Sequence, residues 1–350
     1  MTSETAAGLS LDVADRLATI TLCKPATINA IGPEEIDSIT GLLRDAVADP
    51  TVGTILIRGE GQRGFCAGGD IKQVHTMIVS GELDRLAAFW AAEYRLDHLI
   101  ATCPKPVVSI AHGLTLGGGM GLASHASHRV VTDSTRMGMP EVLIGLSPDI
   151  GGLWLYSRAP GHTGTFAALT AAHLHAGDAL HMGLADHYVP DDRIEELTER
   201  LRNLPAATVF GEFTDRPPSW IADHRAAIDR MFGGDSVAGI IESAHATTDT
   251  AVAEAALSAL TSASPTALCV THEALRRAAR MRDLAECLEQ DLRVGQHCSR
   301  HPDLTEGIRA RVVDKDRRPK WSPPTVAEVS ATEVSSFFEP IGPRLQFGTW

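Results

Sequence analysis

The chain has 350 residues, of which 44% are hydrophobic and 21% are charged, and its formal net charge is −13. This length is enough for one large domain or for a domain with an extension, and the composition is ordinary for a globular protein. The acidic balance argues against general nucleic-acid binding, which needs a basic face. No apolar run reaches the roughly 20 residues that span a bilayer, so we expect no membrane partner.

The cysteines and histidines follow no metal-binding pattern. Six cysteines are present without CxxC or zinc-ligand spacing. A chain of this size does not need disulfides, so we expect reduced thiols and a cytoplasmic location. Two histidine pairs, His125 with His128 and His173 with His175, lack a carboxylate or cysteine at ligand spacing. We therefore predict no metal site and no cofactor.

In chain order, the first two thirds alternate between strand-like and helix-like segments. The strand patterns cover residues 17–22, 54–57, 106–110 and 128–132. The helix patterns cover residues 32–47, 81–100, 151–169 and 176–184. Strands separated by helices need crossover connections, so the pattern predicts an α/β fold.

Past residue 204 the character of the sequence changes. We predict a core over residues 1–204, a mostly helical region over 205–325 with Ala-rich helix patterns at 237–264 and 267–292, and a poorly constrained tail over 326–350. Residues 309–320 contain six basic residues and two acidic ones. This basic run is either a solvated surface segment or a segment that packs near the functional site.

Two glycine clusters each follow a strand-like run, at residues 65–72 and 112–122. Glycine lets the backbone approach a ligand closely and adopt positive φ. A glycine run that opens a helix leaves free N–H groups at the positive end of the helix dipole, which suits an oxyanion. Two such loops could each aim one N–H at a single oxygen. Simple turns are the alternative, and neither cluster has the phosphate-loop or dinucleotide-binding pattern.

Glu141 and Asp149 lie eight positions apart in an otherwise apolar stretch with a proline before each acid and a glycine pair after the second. An ionised carboxylate is costly to desolvate, so an acid in such a setting is either paired or functional. Two acids in one pocket shift each other's pKa and can divide proton transfer between them. The simpler alternative is a loop with two solvated acids.

Taken in order, these motifs resemble the crotonase (enoyl-CoA hydratase/isomerase) superfamily, and within it the 3-hydroxyisobutyryl-CoA hydrolase branch. The resemblance covers most of residues 15–325. It is carried by the following segments: 22–25, 28–31, 66–71, Glu93-Tyr94, His112-Gly113, 117–121, Met139-Pro140-Glu141, 306–310, 314–316 and 319–321. It implies a spiral of ββα repeats with a helical C-terminal region, an acyl-CoA thioester as substrate, and trimers or hexamers as the common assembly.

The resemblance also assigns roles to residues. It places the two oxyanion N–H donors at Gly69 and Gly118, and the catalytic carboxyl pair at Glu141 and Asp149. Glu93 is expected to contact substrate. Further substrate-binding residues implied are Lys24, Ala67, Gly68, Asp70, Ile71 and Gly117, with Arg63, Lys72 and the 309–320 run as other candidates for the CoA phosphates.

Two departures from the hydratase pattern point to the reaction. Hydratases of this family carry a second catalytic glutamate where this chain has Gly121, and a glycine where it has Asp149. The resemblance therefore implies that the chemistry has moved from the alkene to the thioester carbonyl. We predict hydrolysis of a short 3-hydroxyacyl-CoA, with 3-hydroxyisobutyryl-CoA and valine breakdown as the first candidates. An enoyl-CoA hydratase or isomerase, and a non-catalytic acyl-CoA-binding protein, are the alternatives.

Overall fold

The computed structural model describes residues 2–5, 8–348 and 350. The strands are β1 (Thr2–Thr5), β2 (Leu9–Ala14), β3 (Leu17–Leu22), β4 (Thr54–Gly59), β5 (Val107–Ala111), β6 (Leu114–Leu116), β7 (His128–Val131), β8 (Arg136–Gly138) and β9 (His187–Tyr188). The helices of the first half are α1 (Pro33–Ala48), α2 (Ile71–Val79), α3 (Leu83–Ala101), α4 (Gly118–Ser124), α5 (Gly152–Tyr156), α6 (Thr163–Thr170) and α7 (Ala176–His181).

The second half is helical, as its Ala-rich pattern predicts. Its helices are α8 (Ile194–Asn203), α9 (Ala206–Phe210), α10 (Trp220–Phe232), α11 (Val237–Ala246), α12 (Thr250–Ser262), α13 (Pro265–Ala278), α14 (Leu284–Cys298), α15 (Pro302–Ile308) and α16 (Ala331–Ser336). A π-helical turn, Arg309–Val313, continues α15. Short 3₁₀ turns lie at Pro25–Thr27, Glu141–Ile144, Asp191–Arg193 and Val326–Glu328. No helix among the described residues combines the length and apolar character needed to cross a bilayer.

Within the described residues the strands form a seven-stranded sheet in the order β1-β2-β3-β4-β5-β7-β9. The pairs β1–β2 and β2–β3 are antiparallel, and every later pair is parallel. Parallel neighbours need a crossover, which α1 supplies between β3 and β4, and α2 with α3 between β4 and β5. The predicted α/β class is therefore confirmed.

Both faces of the central strands are covered, because successive side chains point to opposite sides. In β4, Ile55 and Ile57 join the main core with α1 and α3, whereas Leu56 joins a second cluster beneath α8 and α9. A strand buried on both faces reads as a continuous apolar run, which is the pattern at residues 54–57. The result is a rigid platform whose strand ends hold the loops of the site.

A second, two-stranded sheet of β6 and β8 lies beside the main one. Its β6 precedes the second glycine cluster, and the Gly117 N–H donates to the Gly138 carbonyl of β8 at 3.1 Å. This small sheet fixes the backbone that enters α4. It is also the connection from the second glycine cluster to the chain segment that carries Glu141.

The C-terminal helices share the main core with the first half of the chain. Leu268 of α13, Leu288 of α14 and Leu304 of α15 belong to the same buried cluster as Ile55 and Phe89. The helices on either side of residue 204 pack into shared clusters. The predicted division of the chain at that residue stays a prediction.

The structure corrects two sequence-based expectations. Residues 151–169 form two helices, α5 and α6, because Pro160 cannot donate to a helix and Gly161 has φ of +61°. The tail is ordered and packed, contrary to prediction: it contains α16, and Phe337, Phe338 and Leu345 are buried. The sequence pattern missed this contact because single aromatic residues in a short polar segment show no periodicity.

The packed tail gives a stability prediction. Phe337→Ala removes a side chain that is 5% exposed, and we expect the free energy of unfolding to fall by about 3 kcal/mol. Trp350→Ala, which truncates an exposed aromatic side chain, is the matched control and should change it by less than about 0.5 kcal/mol. Urea unfolding followed by circular dichroism measures both. Equal effects of the two substitutions would contradict the packed tail.

Candidate active site

The predicted functional residues converge on one cavity of about 220 Å³. The two glycine clusters form one wall, α3 a second, and the segment around Glu141 a third. The lining residues are Ala67, Gly68, Gly69, Ile71, Val74, Phe89, Trp90, Glu93, Gly117, Gly118, Pro140, Glu141, Leu143, Ile144, Leu146, Asp149, Arg311 and Val312. An apolar cavity with a few converging polar groups is the usual form of a small-molecule site.

Backbone hydrogen bonds join the two glycine loops. The Cys66 N–H donates to the Leu114 carbonyl at 3.2 Å, and the Leu116 N–H donates to the Cys66 carbonyl at 3.0 Å. The N–H groups of Gly69 and Gly118 have no hydrogen-bond partner within the described part of the chain, and both residues line the cavity. Unpaired backbone donors beside an enclosed cavity are suited to bind an oxyanion.

Side chains at the second glycine loop would collide with the acids of the site. A Cβ at Gly118 would lie 2.2 Å from Oε1 of Glu93, and one at Gly117, where φ is +49°, would lie 2.8 Å from Oε1 of Glu141. These positions are glycine because the two carboxyl groups occupy the space that a side chain would take. The same distances place both glutamates directly against the loop that carries the Gly118 N–H.

Three carboxyl groups of the cavity are deeply buried. Glu93, Glu141 and Asp149 are each less than 9% exposed. The Tyr94 hydroxyl donates to Oδ2 of Asp149 at 2.7 Å. Oε1 of Glu93 and Oε2 of Glu141 are buried and have no hydrogen-bond partner among the described residues. Orphaned carboxyl oxygens of this kind are rare in folded proteins and mark groups that await a ligand or a proton.

Burial dominates the electrostatics of these acids. It raises the pKa of Glu141 and the pKa of Glu93 well above their usual range, and the nearby Asp149 raises both further. Burial also raises the pKa of Asp149, to about 6, although the hydrogen bond from Tyr94 opposes this rise. Asp149 is therefore the first of the three to ionise, and burial favours the protonated form of the two glutamates. Different pKa values for neighbouring acids are the usual basis for separate acid and base roles.

Some predicted substrate-binding residues lie outside the cavity. The Lys24 ammonium pairs with Glu35 at 2.9 Å and also donates to the Ala30 carbonyl. Asp70 caps the N-terminus of α2 by accepting from the backbone N–H groups of Lys72 and Gln73. Lys24 lies in the segment 22–25 and Asp70 within the first glycine loop, but the side chains of both have structural partners.

Other cavity residues were not predicted. Phe89 and Trp90 form an apolar wall on α3 next to Glu93, and their helical spacing is the signal that could have found them. Tyr94 belongs to the predicted Glu93-Tyr94 motif, but its contact with Asp149 joins residues 55 positions apart. No sequence pattern reports such a contact.

The arginines of the basic run have different partners, and only some of them are paired with acidic side chains. Arg309 is held by Glu306, Asp314 and Asp316. Arg311 instead lines the cavity, and its Nε donates to the Leu143 carbonyl at 2.9 Å. Each of the two alternatives holds for part of the run: Arg311 and Val312 line the cavity, whereas residues 313–318 and Lys320 are exposed.

A larger groove of about 770 Å³ lies between strands β2 to β5 and α8. It is lined by polar residues such as Thr21, Arg58, His112 and Glu195, and it contains neither glycine loop nor the buried carboxyl group of Glu141 or Asp149. Volume alone would favour this groove, but the chemistry described above favours the smaller cavity.

Comparison with known proteins places the chain in a family. A family model described as enoyl-CoA hydratase/isomerase matches residues 17–338. The chain therefore belongs to the enoyl-CoA hydratase/isomerase family, and the predicted membership of the crotonase superfamily is confirmed.

Individual relatives have different names. "3-Hydroxyisobutyryl-CoA hydrolase, mitochondrial" of Dictyostelium discoideum is 33% identical over 338 residues, covering 92% of this chain and 89% of that protein. "Small ribosomal subunit protein mS47" of Schizosaccharomyces pombe is 35% identical over 86% of this chain and 73% of its own length. A crystal structure described as a carnitinyl-CoA dehydratase from Mycobacterium thermoresistibile is 40% identical to this chain and has a TM-score of 0.93. The match covers 97% of this chain and 98% of that one.

These comparisons confirm the predicted crotonase-like fold. They do not support the expected cytoplasmic location, because the name of the Dictyostelium relative places that protein in the mitochondrion.

Gly121 and Asp97 form a further steric pair next to the cavity. A Cβ at Gly121 would lie 2.4 Å from Oδ1 of Asp97 and 3.1 Å from its Oδ2. Asp97 is 1% exposed, and neither of its carboxyl oxygens has a partner within the described residues. Burial, and then the nearby Glu93, raise the pKa of Asp97 well above its usual range. Asp97 thus fills the space into which any side chain at position 121 would project.

This contact predicts a strong coupling between the two positions. Gly121→Ala forces a methyl group against a buried carboxyl group and should lower the free energy of unfolding by about 1–3 kcal/mol. Asp97→Ala removes the obstacle, so the double variant should recover at least about 1 kcal/mol of that loss. A double-mutant cycle measured by urea unfolding checks this. If the effects of the two substitutions on the free energy of unfolding are additive, Asp97 moves aside freely to admit the methyl group.

Proposed function

We propose that the chain hydrolyses a short 3-hydroxyacyl-CoA thioester, with (S)-3-hydroxyisobutyryl-CoA as the first candidate and valine breakdown as its setting. The observation that carries the proposal is the placing of Glu141 and Asp149 in one cavity with the unpaired N–H groups of Gly69 and Gly118. The name of the Dictyostelium relative agrees with a CoA thioester hydrolase.

In the proposed reaction the thioester oxygen binds between the N–H groups of Gly69 and Gly118. Donors fixed in advance stabilise the oxyanion that develops as the carbonyl carbon is attacked. Loss of one such donor typically lowers the rate about a hundredfold or more. The apolar walls exclude water and strengthen these interactions, because the local dielectric constant is low.

Glu141 is the proposed reacting group, since its Oε1 lies against Gly117, one residue from the Gly118 donor. It either attacks the carbonyl carbon itself or removes a proton from the attacking water. Both roles need the carboxylate form of Glu141, so its proton passes to solvent before attack. Attack forms a C–O bond, and collapse of the tetrahedral intermediate breaks the C–S bond and releases the CoA thiolate, which takes up a proton. If Glu141 itself attacks, water then hydrolyses the acyl-enzyme anhydride and regenerates the carboxylate. Asp149 ionises first and is held by Tyr94, which suits it to bind the substrate hydroxyl or to accept a proton.

The size of the cavity supports a short acyl group. Its volume of about 220 Å³ is bounded by Phe89, Trp90 and Leu146, which leaves little space beyond a small branched chain. The CoA portion would leave between α2 and the π-helical turn, where Ile71, Val74, Arg311 and Val312 line the cavity.

Free-thiol release from (S)-3-hydroxyisobutyryl-CoA, followed with a disulfide dye, tests the proposal. The unmodified protein should release thiol, and Glu141→Gln and Asp149→Asn should each reduce kcat by at least about a hundredfold. Both substitutions keep the size of the side chain, so circular dichroism spectra and unfolding midpoints should show an intact fold. Near-normal turnover in either variant would remove that residue from the mechanism.

Two other functions are tested by measurements made beside the thiol-release assay. The 40% identical dehydratase structure favours alkene chemistry, which crotonyl-CoA tests through loss of its enoyl absorbance. The mS47 relative favours a non-catalytic role, which tight CoA binding without turnover on any thioester would support. Absence of thiol release together with either result would overturn the hydrolase proposal.

Arg311 gives a separate prediction about substrate binding. Its guanidinium group lies where the CoA portion would leave the cavity, so it is placed to attract the CoA phosphates. Arg311→Met should raise KM for the acyl-CoA about tenfold and leave KM for the corresponding acyl-pantetheine unchanged, because pantetheine has no phosphates. Arg216→Met, which removes an exposed arginine bound to the Asp186 carbonyl, is the control. An equal rise with both substrates would show that Arg311 acts only through Leu143.

A further inference from the structure

Asp149 begins a turn with unusual backbone geometry. The next residue, Ile150, has φ of +53°, and Gly151 has φ of +71°. A β-branched residue in the left-handed region is a clear outlier, because its branched side chain crowds the backbone there. Such a conformation persists only where the surrounding structure enforces it, and it occurs most often at functional sites.

Three buried polar side chains contact this turn, and each contacts a different residue of it. The Tyr94 hydroxyl donates to Oδ2 of Asp149 at 2.7 Å. The His125 ring donates through Nε2 to the Ile150 carbonyl at 2.7 Å. Oδ2 of Asp291 accepts from the Gly151 N–H at 2.9 Å. These contacts come from α3, from the C-terminal end of α4 and from α14, so the turn is held from three directions.

The three contacting groups are themselves fixed. Tyr94 and Asp291 are almost completely buried, and His125 is 8% exposed. Burial lowers the pKa of His125 to about 4, so its ring is neutral and keeps a single N–H for the Ile150 carbonyl. A Cβ at Gly295 of α14 would lie 3.3 Å from Trp90 and 3.8 Å from the Tyr94 hydroxyl. Helix α14 therefore packs closely on the face of α3 that carries the site.

We propose that Tyr94, His125 and Asp291 are positioning residues, which hold the turn at residues 149–151 and so fix the direction in which the Asp149 carboxyl group faces the cavity. This inference rests on the proposed function, since it gives Asp149 a part in the reaction. It assigns a task to α14, which contributes Asp291 and places Leu284 against Gly151 of the same turn. The C-terminal helical region completes the active site from outside the cavity.

The charged and titratable groups around Asp149 come from several elements. They are Glu93, Tyr94 and Asp97 of α3, Glu141, and Asp291 and Cys298 of α14. Of these, only Tyr94 is hydrogen-bonded to Asp149 within the described residues. Its hydroxyl stabilises the carboxylate, so loss of that hydroxyl should raise the pKa of Asp149.

Tyr94→Phe tests the first contact. We expect kcat for the acyl-CoA to fall at least tenfold with KM nearly unchanged, and the acid limb of kcat/KM to move upward, because Asp149 without this hydrogen bond ionises at a higher pH. Tyr156→Phe is the matched control, because it removes the hydroxyl of another fully buried tyrosine, whose nearest hydrogen-bond partner is Sδ of Met120 at 4.0 Å. An acid limb that stays in place in Tyr94→Phe would overturn the role of Tyr94.

Asp291 permits a test that separates hydrogen bonding from charge. Asp291→Asn keeps an oxygen that can accept from Gly151 and should retain kcat within about threefold. Asp291→Ala removes the acceptor and should lower kcat at least tenfold. Hydrogen exchange of a peptide spanning residues 149–153, followed by mass spectrometry, should be at least tenfold faster in Asp291→Ala than in Asp291→Asn. Equal kcat and equal exchange in the two variants would overturn the proposal.

The exchange measurement also separates this inference from the proposed function. If the unmodified protein hydrolyses no thioester but Asp291→Ala still loosens the turn, then the proposed function fails, and with it the catalytic purpose of the contacts. If hydrolysis is normal and Asp291→Ala changes neither kcat nor exchange, the proposed function stands and the positioning role is wrong.

Discussion

The structure depends on the burial of several carboxyl groups in one dry region. Glu93, Glu141 and Asp149 share a cavity, and the low dielectric constant there makes repulsion between ionised neighbours severe. Burial therefore favours the protonated form of these acids, and Asp149 loses its proton first because Tyr94 stabilises the carboxylate. Raised carboxyl pKa values work against folding as the pH rises from about 4, because the unfolded chain ionises before the folded one does. The large core shared by sheet and helices must offset this penalty. Burial of these carboxyl groups therefore lowers the free energy of unfolding, and it also makes the groups reactive near neutral pH.

Glycine makes this arrangement sterically feasible. The second glycine loop passes so close to Glu93 and Glu141 that neither Gly117 nor Gly118 has space for a Cβ. The loop must nevertheless lie there, because only a backbone N–H can donate from that position without filling the cavity. In the proposed reaction the loop and the acids must lie close together, because the N–H of Gly118 and the carboxyl group of Glu141 have to reach the same carbonyl group. Gly121, about one helical turn further along α4, is restricted in the same way, because Asp97 occupies the space that its side chain would take.

The sequence predicted features that are local or that repeat along the chain. Strand β3 was placed at its observed bounds, because its alternating pattern reports directly on its two faces. The cavity residues of the glycine clusters, together with Glu141 and Asp149, were predicted because each lies in a short motif with its own order and spacing. The tail was predicted wrongly, since isolated aromatic residues carry no period. The roles of Tyr94, His125 and Asp291 could not be read from sequence, because each depends on a contact between distant segments. Lys24 was predicted to bind substrate from its place in a motif, and in the structure its ammonium pairs with Glu35, so that role stays a prediction.

The fold alone does not determine the reaction. Proteins with names as different as hydrolase, dehydratase and ribosomal protein resemble this chain over most of its length. A shared spiral with two N–H donors can activate any thioester carbonyl, so the outcome depends on which acids surround it and in which protonation state. In this chain the distinguishing acid, Asp149, lies on a backbone turn that a β-branched residue adopts only under constraint. Its placement requires α3, α4 and α14 together. Change of function within such a fold therefore needs more than exchange of one catalytic side chain, because the elements that hold the new side chain in place must change with it.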